Sequence, residues 1–301
     1  MELGIVGLGK MGANMARRLV EGGHRVVGLA RTRASVDAAV AFGVVGVTSL
    51  AELVGQLAPP RVVWLMVPAG PTVDQNLDAL LPRLAPGDIV VDGGNSYYRD
   101  TVRRAARAAA AKVEYVDCGT SGGIWGRTEG YSLMVGGTPA TVEHLRPIFE
   151  TLAPGPAKGW GRVGPVGAGH FTKMVHNGIE YGMMESYAEG FAILARKEEF
   201  HLDLAQVADI WRFGSVVRSW LLDLTAEALH ENPELVGIEP YVVDSGEGRW
   251  TVTEALDLDV PAPVITLALQ GRLRSREENP FAERLLAVMR HKFGGHAVKT
   301  E

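Results

Sequence analysis

The stretch Lys173-Met-Val-His-Asn-Gly-Ile-Glu180 carries an amine, an imidazole, an amide and a carboxylate in otherwise apolar sequence. On a helix, Lys173, His176, Asn177 and Glu180 fall within an arc of roughly 100°, and Met174, Val175, Ile179 and Met183 take the opposite side. The polar stripe combines one base, one acid and two hydrogen-bonding groups, the set that general acid–base chemistry uses. Lys173 and Glu180 stand about two turns apart, on the order of 10 Å along the axis, so a small extended substrate fits between them. Gly178 and Gly182, costly inside a helix, lie on the apolar side and would let a neighbouring element approach closely. The competing reading is an ordinary solvated helix face. The glycine-rich entry Gly164–His170 and the nucleotide signature at the start of the chain count against it.

That signature is Gly7-Leu8-Gly9-Lys10-Met11-Gly12, directly after the strand-like Leu3–Val6 and before an amphipathic stretch reaching Glu21. The first glycine turns the chain, the second admits a pyrophosphate to the backbone, and the third lets the helix pack on the sheet. Phosphates then rest on a helix N-terminus, where free N–H groups and the dipole favour anions. The second strand, ending in Gly28-Leu29-Ala30, runs into Arg31-Thr32-Arg33 with no acid; the first carboxylate is Asp37. An acid there would hold the ribose of NAD, whereas a guanidinium with a hydroxyl suits the 2′-phosphate of NADP. NADP is therefore expected, with NAD possible if Arg31 and Arg33 are merely solvated.

Short β-branched runs alternate with helical patterns to about residue 160, and long helical periodicity follows, from about Ala168 to Arg196 and onward. The expected fold class is α/β: an N-terminal Rossmann-type, doubly wound, mostly parallel sheet over 1–163, then an all-helical C-terminal domain over 164–301. With 301 residues the chain has room for two domains, and its net charge of −5 with interspersed signs offers no basic face for nucleic acid. No apolar run is long enough to span a membrane. One cysteine, Cys118, and a start close to the first strand fit a reducing cytoplasm; Cys118 reads as core.

The motifs Gly7–Leu19, Gly93–Thr101, Asp117–Gly123, Gly169–Glu185, Asp244–Thr251 and Phe293–His296 together resemble the decarboxylating 6-phosphogluconate dehydrogenases, over nearly the whole chain and in the family's short form. The resemblance implies oxidation and decarboxylation of 6-phosphogluconate to ribulose 5-phosphate in the pentose phosphate pathway, with hydride passing to NADP or NAD and no metal required. It implies Lys173 as the base at the C3 hydroxyl, and then as the ammonium that polarises the new ketone; Glu180 as the acid that protonates C1 of the enediol. Burial can lower a lysine's pKa enough for it to start neutral. It further implies that Asn95, Ser121, Gly122, Gly123, His176 and Asn177 hold hydroxyls and carboxylate, and that Tyr181 and Arg272 lie near the phosphate. Arg290 and His296 would enter the partner subunit's site in a homodimer or homotetramer. Leu8, Lys10, Met11, Val67 and Asn95 would join the glycines, Arg31 and Thr32 at the cofactor. Asn95 or Ser96 is also expected to cap the helix that follows. Longer members place a phosphate-binding lysine before the tryptophan; here Asp244–Trp250 lacks it, and Arg249 is the candidate substitute.

Two rival readings share part of this pattern. A β-hydroxyacid dehydrogenase of the 3-hydroxyisobutyrate type shares the glycine loop, a Ser-Gly-Gly loop and the helix lysine, but has no use for Glu180, Arg272 or the Phe293–His296 tail. A non-catalytic NADP-binding regulatory protein has no use for an intact Lys173 and Glu180.

Overall fold

The computed structural model describes residues 1–294 and 297–299. Among them, one sheet contains β1 (Glu2–Val6), β2 (Arg25–Leu29), β3 (Val45–Val47), β4 (Val62–Leu65), β5 (Ile89–Asp92), β6 (Glu114–Ser121), β7 (Ser132–Gly136) and β8 (Trp160–Gly164). The spatial order is β3-β2-β1-β4-β5-β6-β7-β8, and every neighbouring pair is parallel except β6 with β7. The first six strands thus follow the Rossmann order, with the topological switch point between β1 and β4. The β-branched runs of the sequence predict β1, β2, β4, β5, β6 and β7, and β3 and β8 are additional.

Strands buried on both faces must be apolar at nearly every position. Val62 to Leu65 and Ile89 to Val91 are accordingly all buried. Alternate residues feed two cores: Leu3, Ile5, Val26 and Trp64 meet Met15, Leu19 and Phe149 on one face, while Val27, Val63, Leu65 and Val90 meet Leu53, Leu77 and Leu80 on the other.

The chain divides into two compact units, Met1–Asn177 and the part from Gly178 onward. The helix Ala168–Arg196 begins in the first and continues into the second. The second unit is helical: Leu204–Arg212, Trp220–Glu231, Glu247–Asp257, Pro263–Arg274 and Phe281–Gly294. Its largest buried cluster joins Phe191 to Ala208, Leu222, Ala226 and Leu229; a smaller one joins Tyr181 to Ala268 and Leu269. No helix of the described residues is long and apolar enough to cross a membrane.

Candidate active site

The glycine loop has the geometry that its spacing predicts. Gly7 adopts φ +102°, and a Cβ there would meet the Met66 carbonyl oxygen at 2.2 Å. A Cβ at Gly12 would fall 1.9 Å from the Gly7 carbonyl oxygen, so the helix Lys10–Glu21 could not otherwise lie so close to the turn. At Gly9 a Cβ would meet nothing within 4 Å. Gly9 is the N-cap and supplies no side chain to the first turn, which also has no acidic residue, so the helix terminus is open to an anion. A cavity of about 400 Å³ lies beside it, lined by Leu8, Lys10, Asn14, Ser35 and Phe42 among others. These features fit a dinucleotide pyrophosphate.

At the end of β2, Thr32 caps the helix Arg33–Val40, its hydroxyl accepting from Ser35 N at 3.3 Å. Arg33 donates to Asp37 at 2.8 Å. Arg31 is exposed, and among the described residues no hydrogen bond or ion pair engages it. Of the two arginines, Arg31 is therefore the one available to a 2′-phosphate. Val67 follows β4 and is partly buried; Asn95 follows β5 and is exposed.

Strand β6 sets the position of Lys173. Its Asp117 is fully buried, and the two carboxylate oxygens accept from Gly167 N at 2.7 Å and His170 N at 2.8 Å. The start of the helix Ala168–Arg196 thereby gains an acceptor for otherwise orphaned N–H groups, and a negative charge at its positive end. Two residues along, a Cβ at Gly119 would stand 2.4 Å from Lys173 Cβ, so the strand and the helix touch at the lysine. At Gly169, on the helix itself, a Cβ would strike the Met134 carbonyl oxygen at 2.4 Å. The glycine-rich entry to the helix is thus a close-packing device. Asp117 was not singled out from sequence, although a carboxylate inside the apolar run Tyr115–Cys118 is the signal that could have found it.

Lys173 is only 6% exposed. Its Nζ donates to Asn177 Oδ1 at 2.7 Å and lies 3.3 Å from His176 Nδ1, and these two atoms are 3.1 Å apart. The expected stripe exists over these three residues as a closed triangle that orients the amine. Glu180 follows on the same helix, partly buried. The opposite side differs from expectation: Met174 is buried, but Ile179 is 52% and Met183 39% exposed. They line an apolar cavity of about 570 Å³ with Val216, Val217 and Val264 instead of packing in a core. The close approach expected at Gly178 is present, since a Cβ there would lie 2.6 Å from Thr251 Cγ2. At Gly182 the clearance to Val264 is looser, 3.2 Å.

Ser121 ends β6, and Gly122 follows with φ +122°, a conformation that frees the Gly122-Gly123 turn from the ladder. Asn14, on the glycine-loop helix, donates to the Ile124 carbonyl at 3.3 Å and brings that turn beside the nucleotide loop. The capping expected of Asn95 or Ser96 is not found. Tyr97 is the N-cap of the helix Tyr98–Ala110 and makes no side-chain capping bond, while Ser96 donates instead to Asp92 at 2.8 Å. The buried carboxylate of Asp92 outcompetes the helix terminus for the hydroxyl.

In the second unit the Tyr181 hydroxyl lies 3.2 Å from Ser245 Oγ, and the Arg272 guanidinium stacks 3.4 Å above the Tyr181 ring centre. Arg272 also donates to the Val243 carbonyl at 3.1 Å, so it and Tyr181 are brought together. Arg249 donates to Asp244 at 2.9 Å, which commits it to a carboxylate. Arg290 is exposed on the helix Phe281–Gly294, and His296 lies outside the described residues. Among the described residues no three His, Cys, Asp or Glu side chains are grouped as metal ligands.

Comparison with known proteins adds to this geometry. Residues 2–164 match the family model described as the NAD binding domain of 6-phosphogluconate dehydrogenase, and residues 169–292 match its C-terminal domain. An NAD(+)-dependent, decarboxylating 6-phosphogluconate dehydrogenase from Haloferax volcanii is 45% identical over 299 residues, covering 99% of this chain and 98% of the relative. A decarboxylating 6-phosphogluconate dehydrogenase from Saccharomyces cerevisiae is 37% identical, covering 95% of this chain but 61% of the yeast protein. The structure of the Plasmodium falciparum enzyme, described with its cofactor NADP+ and its substrate 6-phosphogluconate, superposes with a TM-score of 0.84 at 29% identity, over 100% of this chain and 66% of that one.

Proposed function

Because the chain belongs to the 6-phosphogluconate dehydrogenase family, we propose that it oxidises 6-phosphogluconate and decarboxylates the product to ribulose 5-phosphate, reducing NADP or NAD. The observation that carries the reading is the buried Lys173, held by His176 and Asn177 against a strand whose end presents Ser121 and a glycine turn. Bound NADP or NAD supplies the hydride acceptor. Gly7, Leu8, Gly9, Lys10, Met11 and Gly12 are assigned to its phosphates, Arg31 and Thr32 to its ribose end, and Val67 and Asn95 to its nicotinamide side.

Lys173 takes the C3 hydroxyl proton as hydride leaves C3. The resulting ammonium then donates to the ketone oxygen and draws in the electron pair released when the carboxylate departs as CO2. Glu180 delivers a proton to C1 of the enediol while the C2 hydroxyl returns its proton to Lys173. His176 and Asn177 hold the amine, and with Asn95, Ser121, Gly122 and Gly123 they supply hydrogen bonds to the sugar acid. Tyr181 and Arg272 are assigned to the phosphate; Arg272 takes that place in preference to Arg249, whose charge is already met by Asp244.

The decisive assay follows reduced cofactor with 6-phosphogluconate plus NADP or NAD and measures CO2 in parallel. Equal amounts of reduced cofactor and CO2 are expected, with NADP favoured through the unengaged Arg31. Hydride transfer without CO2 returns the β-hydroxyacid reading, and the absence of any turnover returns the regulatory one. A clear preference for NAD, the cofactor named for the Haloferax relative, removes the assignment of Arg31 and Thr32.

We also propose a homodimer or homotetramer in which Arg290 and His296 complete a partner subunit's site. Val216, 98% exposed, and Val264, 63% exposed, both line the apolar cavity of the second unit, and exposed apolar surface of that kind calls for a cover. Sedimentation velocity should give a dimer or larger species at assay concentrations; an active monomer defeats the assignment.

A further inference from the structure

Arg104, on the helix Tyr98–Ala110, is fully buried, an unusual place for a guanidinium in the middle of a helix. Its Nη2 donates to the Gly70 carbonyl at 2.9 Å and to Asp74 at 2.8 Å, both beyond the end of β4. Its Nη1 donates to Ser96 Oγ at 3.3 Å, beyond the end of β5, and lies 3.8 Å from Asp92 Oδ2. Asp92 in turn accepts from Ser96 Oγ at 2.8 Å, from Tyr115 OH at 3.2 Å and from Gly94 N at 3.3 Å. A Cβ at Gly94 would stand 2.9 Å from the Val67 carbonyl oxygen, so the two loops also touch directly.

We propose that Arg104 is a positioning residue for hydride transfer: its guanidinium clamps the loop after β4 to the loop after β5 and so fixes Val67 and Asn95 relative to each other. The inference rests on the assignment of those two residues to the nicotinamide side. A buried ion pair adds little net stability, because desolvation offsets the attraction, so stability alone does not account for the arginine. A planar fork with donors on two sides can hold both loops at once, whereas an ammonium is a single point of attachment. Asp74 fits the role of counter-charge: hydrogen bonds from Arg104 and then Arg103 hold its carboxyl well below the usual carboxylate range. Arg107 also reaches it, at 3.1 Å.

The test compares the full chain with Arg104→Lys, which keeps the charge and loses the fork. Small displacements of reacting groups are costly, so kcat per folded site should fall on the order of 10- to 100-fold. KM for the sugar acid should stay within about threefold, because of its assigned binding groups only Asn95 sits on a clamped loop. With 6-phosphogluconate deuterated at C3, the isotope effect on kcat should exceed that of the wild type as hydride transfer becomes more limiting. Loss of folded protein alone moves neither kcat per folded site nor the isotope effect, so a variant that only melts earlier overturns the proposal. If Arg104→Lys does not fold, Asp74→Asn frees Nη2 of its counter-charge and is read in the same way. A wild-type chain that does not oxidise 6-phosphogluconate removes the underlying functional assignment; an active wild type with an unchanged isotope effect in the variant removes only the role of Arg104.

Discussion

Replacing Lys173 with methionine should lower kcat for ribulose 5-phosphate formation by on the order of 10²- to 10⁴-fold, the range for losing a positioned general base. The site suits the substitution. Lys173 is 6% exposed and its methylenes pack on Gly119, so an unbranched apolar side chain of similar length fills the space. His176 and Asn177 lose their shared partner yet remain bonded to each other at 3.1 Å. Cofactor binding, which depends on the glycine loop and the end of β2, should be unchanged when titrated by the fluorescence of the reduced nicotinamide. Turnover within threefold of wild type would show that Lys173 carries no proton in the reaction.

Changing Glu180 to glutamine should leave the first oxidation possible and stop the reaction later. Glutamine has nearly the shape of glutamic acid but cannot hand over a proton, so protonation of the enediol at C1 becomes rate-limiting. A steady-state loss of at least about 100-fold in ribulose 5-phosphate formation follows from removing a general acid. In D2O the wild-type product should carry one solvent deuterium at C1, whereas the variant should release product slowly after an initial burst of reduced cofactor. Near-normal turnover in Glu180→Gln would defeat the assignment of Glu180 and, with it, the main distinction from a simple β-hydroxyacid dehydrogenase.

Much of this site is local in sequence, which is why it could be read there. The glycine loop works through spacing alone, and Gly7, Gly9 and Gly12 each meet the steric environment that their order implies. The helix Ala168–Arg196 also has the bounds that its periodicity suggests. Features that depend on distant partners were hidden. β3 is three residues long, and β8 contains two glycines and an arginine, so neither carries an alternating apolar pattern. Ile179 and Met183 look like core residues by type, but whether an apolar face meets a core is decided by neighbours far along the chain. Asp117 and Arg104 lie outside the Lys173–Glu180 stripe, and their roles exist only once β6, the loops after β4 and β5, and two helices have been brought together. Ser96 shows the competition directly: a helix-capping residue type beside a buried carboxylate takes the carboxylate.

The burial of Cys118 has a practical consequence for fluorescence work. Its thiol is fully buried on β6, and desolvation raises its pKa far above the ordinary thiol value. It is also the only cysteine in the chain. Maleimide dyes react with accessible thiolate, so the native protein should resist labelling while folded. A single cysteine introduced at an exposed position such as Lys158 would take one dye per chain without a cysteine-free background, and slow modification of Cys118 would then serve as an internal clock for the opening of the sheet.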